Sequence, residues 1–180
     1  LLKVMEEPPE GVLFLLTADS LAGVLPTIRS RCVSFAIAPV SPADCARYCT
    51  AHGVDKKTAA LYSELFDGHI GTVLTAARDK TRTEQVDKAM ELARAAQAGD
   101  SYTAAVLLAP YEKDKAGAAA LLRDLRAVAA AGLQGSPHAP VQGQQAQRTL
   151  RLAEAAIQRL GAQVNPKIVL TVFAARLAHA

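Results

Sequence analysis

Tryptophan is absent, tyrosine and phenylalanine together make up 4% of the 180 residues, and there are three cysteines. With so few rings and no basic helix, the chain offers no stacking platform for single-stranded nucleic acid and no reading head for duplex DNA. Cys32, Cys45 and Cys49 do not make a paired disulfide framework. Cys45 and Cys49 are four apart and share a helix face, but no second His/Cys pair stands at ligand spacing. They read as buried or half-buried thiols of a reducing cytoplasm rather than as a metal site. Charge of one sign is not in excess either: 20 Lys+Arg against 17 Asp+Glu leaves +3, without the clustering that a nucleic-acid surface needs. No run of about eighteen apolar residues appears, so no membrane span is expected. No secretory signal opens the sequence, and Leu1 stands inside a pattern, as in a fragment. Missing too are a glycine-rich phosphate loop, a Ser/His/Asp or Cys/His arrangement, and a carboxylate cluster for metal. Asp19 and Asp44 read as turn and helix-start residues. Nothing here makes an enzyme unaided.

What is present is alanine in abundance within a 51% hydrophobic chain, a composition for packed helices with enough length for one or two small cores. Pro8 and Pro9 lack backbone donors and are expected to end a helix over 1–7. Val12-Leu13-Phe14-Leu15-Leu16 is an apolar run of strand length, of the kind covered on both faces in a parallel sheet. Thr17-Ala18-Asp19-Ser20 makes a polar turn. Pro26 opens a short helix at its first position, and the residues after it deliver Arg29 and Arg31 near the end of that strand. Ligands of open α/β sheets bind at such strand ends, so the two cations are placed to meet an anion. Val33-Ser34-Phe35-Ala36-Ile37 alternates as a second strand before Pro39.

From Ser41 onward the pattern is helical. Ser41 with Pro42 and Asp44 makes a helix start. Helices are expected over 42–52, 55–67 and 70–79, the first two stopped at Gly53 and Gly68. Further helices are expected over 83–98 (Val86, Met90, Ala93 and Gln97 on one line), 102–109, and 112–132 (Leu121, Leu122, Leu125, Val128). The segment 135–143, rich in Gly and Pro, has the composition of a flexible loop. A helix over 144–160 follows, with Leu150, Ala153, Ile157 and Leu160 inward and Arg148, Arg151, Glu154 and Arg159 outward. The last begins at Pro166, with Ile168, Val169, Val172, Phe173 and Leu177 packing inward.

The ordered combination of Leu1-Leu2-Lys3, Glu6-Glu7-Pro8-Pro9, Phe14-Leu15-Leu16-Thr17 and Leu25-Pro26-Thr27-Ile28-Arg29-Ser30-Arg31-Cys32 resembles the bacterial replicative clamp loader ATPases of the AAA+ superfamily, whose signature is the Ser-Arg-Cys triplet. The resemblance begins in mid-domain; the family's phosphate loop, acidic metal motif and zinc module lie before the position that Leu1 matches. It implies a mainly α chain: the closing part of an AAA+ α/β core over 1–38, a three-helix lid over 39–80, and a helical collar over 81–180 that joins five subunits.

For the site, the resemblance implies that Arg31 is an arginine finger acting in trans on ATP held by a neighbouring subunit, with Ser30, Cys32 and Pro26 shaping its turn. Thr17 or its neighbour falls at sensor 1, where capping of the turn is the plainer role. Arg29 is a second phosphate contact or a surface charge. Gly71 stands where active members carry the sensor 2 arginine; Arg78 is two turns away, and His69 reads as a cap or surface residue rather than a base. The departure at Gly71 points to the delta-prime type, a stator that does not hydrolyse ATP, with no cofactor expected in this stretch and ATP on the neighbouring subunits, and that reaches the sliding clamp and primed DNA only through the cytoplasmic hetero-pentamer. A truncated motor subunit and a purely structural helical scaffold are the alternatives.

Overall fold

The structure is a computed structural model and describes residues 4, 7, 9–18, 20–38 and 40–178. The expected helix over 1–7 with its stop at Pro8, the turn residue Asp19 and the strand stop at Pro39 fall mostly or wholly outside the described residues. The chain divides into two compact units, Leu1–Ala38 and Pro39–Ala180.

The first unit holds a single turn of 3-10 helix, Leu21–Gly23, and a four-residue helix α1, Pro26–Arg29. Ser20 starts the former by accepting Ala22 N–H at 3.1 Å. The two expected strands differ from the structure: 12–18 and 33–38 carry no regular secondary structure, and no strand occurs among the described residues. Leu13 (81% exposed), Leu15 (86%) and Ile37 (94%) face outward rather than into a core. A strand exists by hydrogen bonding to a neighbour, and no described segment supplies one. Apolar composition alone does not make a sheet.

The second unit is helical throughout: α2 (Pro42–Ala51), α3 (Lys56–Leu65), α4 (Ile70–Arg78), α5 (Lys80–Ala98), α6 (Ser101–Leu108), α7 (Lys115–Leu133), α8 (Gly143–Gly161) and α9 (Pro166–Ala178). The starts follow from short polar caps. Ser41 Oγ accepts Asp44 N–H at 3.1 Å, Asp55 takes the amides of Lys57 and Thr58, Asp100 that of Thr103, and Asp114 that of Gly117. Each satisfies a first-turn donor that the helix itself leaves open. Gly68 ends the second turn region with φ +72°, and a Cβ there would lie 1.7 Å from the Val40 carbonyl oxygen. Only glycine fits.

The core runs from Cys45 to Leu177, with Leu92, Leu108, Leu121, Leu122, Leu125 and Leu160 among its fully buried side chains. Alanines at 93, 96, 129, 146 and 153 are buried and permit close helix approach, α7 against α8 above all. Several faces are rotated from the expected ones. Gln97 is exposed and its Oε1 accepts Gln142 N–H at 2.9 Å. On α8 the inward residues are Ala146, Thr149, Ala153, Ala156 and Leu160, with Leu150 and Ile157 at the margin. Ile168 is 58% exposed. The segment 135–143 is not loose: Ala139 and Val141 are buried, and the Val141 carbonyl approaches Gly132 so closely that a Cβ would sit 1.9 Å from it. Two apolar residues spaced by one proline give this loop a core anchor that its Gly/Pro content conceals. No helix among the described residues is long and apolar enough to cross a membrane.

Candidate functional site

The segment with the strongest sequence signal is a short knot at the end of α1. Pro26 takes the first helical position, where its missing N–H costs nothing. Ile28 and Arg29 amides both reach the Leu25 carbonyl, at 3.0 and 3.1 Å. Ser30 Oγ donates to the Thr27 carbonyl at 3.1 Å. Arg31 Nη1 donates to that same carbonyl at 2.7 Å and to Ser30 Oγ at 3.2 Å. The arginine thus closes the C-terminal end of the helix that precedes it, where carbonyls lack partners and a cation is favoured. Arg31 is exposed and Cys32 half-buried as a free thiol. Thr17 stands exposed in a segment without regular structure, and Arg29 is exposed. Pro26, Ser30, Arg31 and Cys32 are therefore one local unit, while Thr17 lies nine residues before it in the chain. Sequence reasoning did not anticipate Thr27, whose carbonyl is the hub of the knot; the Thr-x-x-Ser spacing of one helical turn is the signal that carries it.

In the helical unit, Gly71 lies in the first turn of α4 on the exposed side, with no atom within 4 Å of an added Cβ. His69 precedes α4; its Nδ1–H donates to the Phe66 carbonyl at 2.8 Å and the side chain caps no amide. Arg78 donates through Nη2 to the His52 carbonyl at 2.9 Å, so this cation ties the end of α2 to the end of α4. Cys45 and Cys49 are fully buried on one face of α2. Burial pushes the Cys49 thiol up, and the neighbouring Cys45 adds to the shift. Asp44 belongs to its helix start, taking Ser41 Oγ at 2.8 Å and Arg47 at 2.6 Å. No group of three His, Cys, Asp or Glu side chains that could hold a metal occurs among the described residues.

A buried ion pair, Arg82 with Asp124, joins α5 to α7. It was missed from sequence, although a carboxylate between Leu122 and Leu125 on an otherwise apolar stripe is a readable sign of one. Hydrogen bonding to Asp124 raises the Arg82 guanidinium further above its ordinary value, so the guanidinium stays charged.

Residues 1–41 match the family model described as DNA polymerase III, delta subunit. That segment contains the whole of the 25–32 knot. The match supports a relationship to the clamp-loader-type subunits of DNA polymerase III, which act together with other subunits of that complex. Neither the curated proteins nor the solved structures compared with the chain give a match.

Proposed function

We propose that the chain is part of a delta-prime-type clamp loader subunit that donates Arg31 in trans to ATP bound by a neighbouring motor subunit. The observation that carries this reading is the family match over residues 1–41 with Arg31 inside it, on an exposed turn. Phosphoryl transfer spreads negative charge over the γ-phosphate oxygens, and a guanidinium is suited to them because it stays charged and presents donors in a fork. In this role Arg31 exchanges its bonds to the Thr27 carbonyl and Ser30 Oγ for phosphate oxygens across the subunit seam. Ser30 and Pro26 keep the turn in shape without it, and Thr17 occupies the sensor 1 position.

Gly71 supports a subunit that does not hydrolyse ATP itself. Its surroundings leave room for a long side chain, yet no cation is there. The division of labour then has residues 1–38 as the closing part of the AAA+ core, 39–80 as lid and 81–180 as collar. The collar packs with four other subunits, and contact with the sliding clamp and primed DNA is made by the assembled complex.

A second reading has one observation in its favour: Arg31 Nη1 already staples its own turn at 2.7 Å, which is what a purely structural scaffold would ask of it. Assembly is the first test. Mixed with motor and delta subunits, the chain is expected to co-elute with them in size-exclusion chromatography as one species; elution apart from them at micromolar concentration contradicts the reading.

A further inference from the structure

Helices α4 and α5 meet at a single residue. Asp79 closes α4 and caps α5 in an extended conformation, φ −94° and ψ 112°. Its Oδ1 accepts the amides of Thr81 at 2.9 Å and Arg82 at 3.3 Å. Such a joint fixes where α5 begins, but the angle between the helices turns on a pair of backbone dihedrals. Contacts beyond the joint must set that angle.

Besides the shared apolar core, one directional contact grows from the first turn of α5. Arg82 forks onto Asp124 of α7, Nη2 donating to Oδ1 at 2.5 Å and Nη1 to Oδ2. Its guanidinium carbon also lies 5.7 Å from the centroid of the Phe66 ring, at the end of α3. One side chain therefore grips the preceding three helices through Phe66 and the following bundle through Asp124. Asp124 is only 5% exposed, so its charge has Arg82 in place of water. Two lesser ties run alongside: Ser136 Oγ donates to Glu64 of α3, and Thr83 Oγ1 donates to the Ala76 carbonyl of α4 at 2.8 Å. On the same boundary an open cleft of about 510 Å³ separates Phe66, His69 and Thr72 from Arg126, Ala130 and Leu150. The two groups of helices share one apolar core, with these polar ties at one edge of it and the cleft at another.

We infer that the Arg82–Asp124 pair is a latch holding the helices of residues 42–78 at one angle to those of 80–178, and that opening it lets the former rock about Asp79. A two-bonded fork suits this task because it fixes direction as well as distance, which apolar contacts between alanines do not. Loss of the fork leaves the buried Asp124 carboxylate without its two donors and draws water to the boundary. The inference does not depend on the proposed role of Arg31.

Hydrogen exchange on the whole chain tests it, with Asp124→Asn and Arg82→Lys as variants. Asp124→Asn keeps the size but removes the charge and one of the two acceptor oxygens; Arg82→Lys keeps the charge but removes the two-pronged fork. The latch requires amides of α2, α3 and α4 to exchange at least roughly tenfold faster in either variant, with those of α8 and α9 unchanged. Equal acceleration over all helices would make the pair a general stabiliser and overturn the inference, as would protection unchanged in both groups. Should Asp124→Asn fail to fold, the milder Arg82→Lys decides on the same criteria.

Discussion

Gly68 and Gly71 are three residues apart, yet their surroundings differ completely. At Gly68 the backbone is left-handed and the Val40 carbonyl leaves no room for a Cβ. Gly68→Ala is therefore expected to destabilise by at least about 1–3 kcal/mol, the cost of a strained left-handed residue before any clash is added. Gly71 is helical and open, so Gly71→Ala is expected to leave stability unchanged or raise it by up to about 1 kcal/mol. Urea denaturation of both variants checks the pair, and similar losses in the two would contradict the geometry. The cysteines give a second check at this scale. Cys32 is half-buried while Cys45 and Cys49 have no exposure, and burial holds the Cys49 thiol in its neutral, unreactive form. Under native conditions a thiol reagent should label one cysteine per chain, at position 32, with the other two reacting only in denaturant. Rapid labelling of all three would mean that α2 is not packed as described.

Among the elements, helix starts are where chemistry and stability meet most directly. The Asp55 carboxyl is held below its ordinary value of 3.8, first by the Thr58 amide. Asp100 is held below its own mainly by the Thr103 hydroxyl. A carboxyl lowered in the folded state contributes stability that is complete above the ordinary value and disappears as pH falls through the lowered one. The first turns of α3 and α6 are thus expected to fray selectively as pH drops below 3.8, seen as loss of amide protection at Lys57, Thr58 and Thr103 before the core helices open. Simultaneous loss in all helices would contradict this.

These same caps explain why helix positions were readable in the sequence. Ser41-Pro42, Asp55, Asp100 and Pro166 each announce a start by local chemistry, and the observed helices begin within a residue or so of those marks. The expected gap before residue 83 closed because Asp79 both ends one helix and caps the next, a dual use that spacing does not reveal. Faces were less legible than boundaries. Alanine is neutral in a polarity pattern, so in α8 the tightly packed Ala146–Ala153–Ala156 line was outweighed by the larger Leu150 and Ile157, which sit at its margin.

For the whole molecule, the helical part was legible because each helix carries its own stripe and its partners within residues 39–180. The strands were not, because β structure depends on partners that the apolar runs at 12–16 and 33–37 do not find among the described residues. The site falls between these cases. The knot of Pro26, Thr27, Ser30 and Arg31 is built from neighbours in the chain, so its turn follows from local sequence; the role proposed for Arg31 depends on a partner subunit, which no residue of this chain encodes alone. The match over residues 1–41 supports a relationship to clamp-loader-type subunits of DNA polymerase III, where the proposed role can be tested. DNA-stimulated ATP hydrolysis by a clamp loader reconstituted with this subunit carrying Arg31→Ala is the most direct measurement. A trans-acting finger requires turnover to fall at least roughly tenfold with the complex still intact by size-exclusion chromatography. Unchanged turnover in an intact complex would contradict it and leave Arg31 as the staple of its own turn.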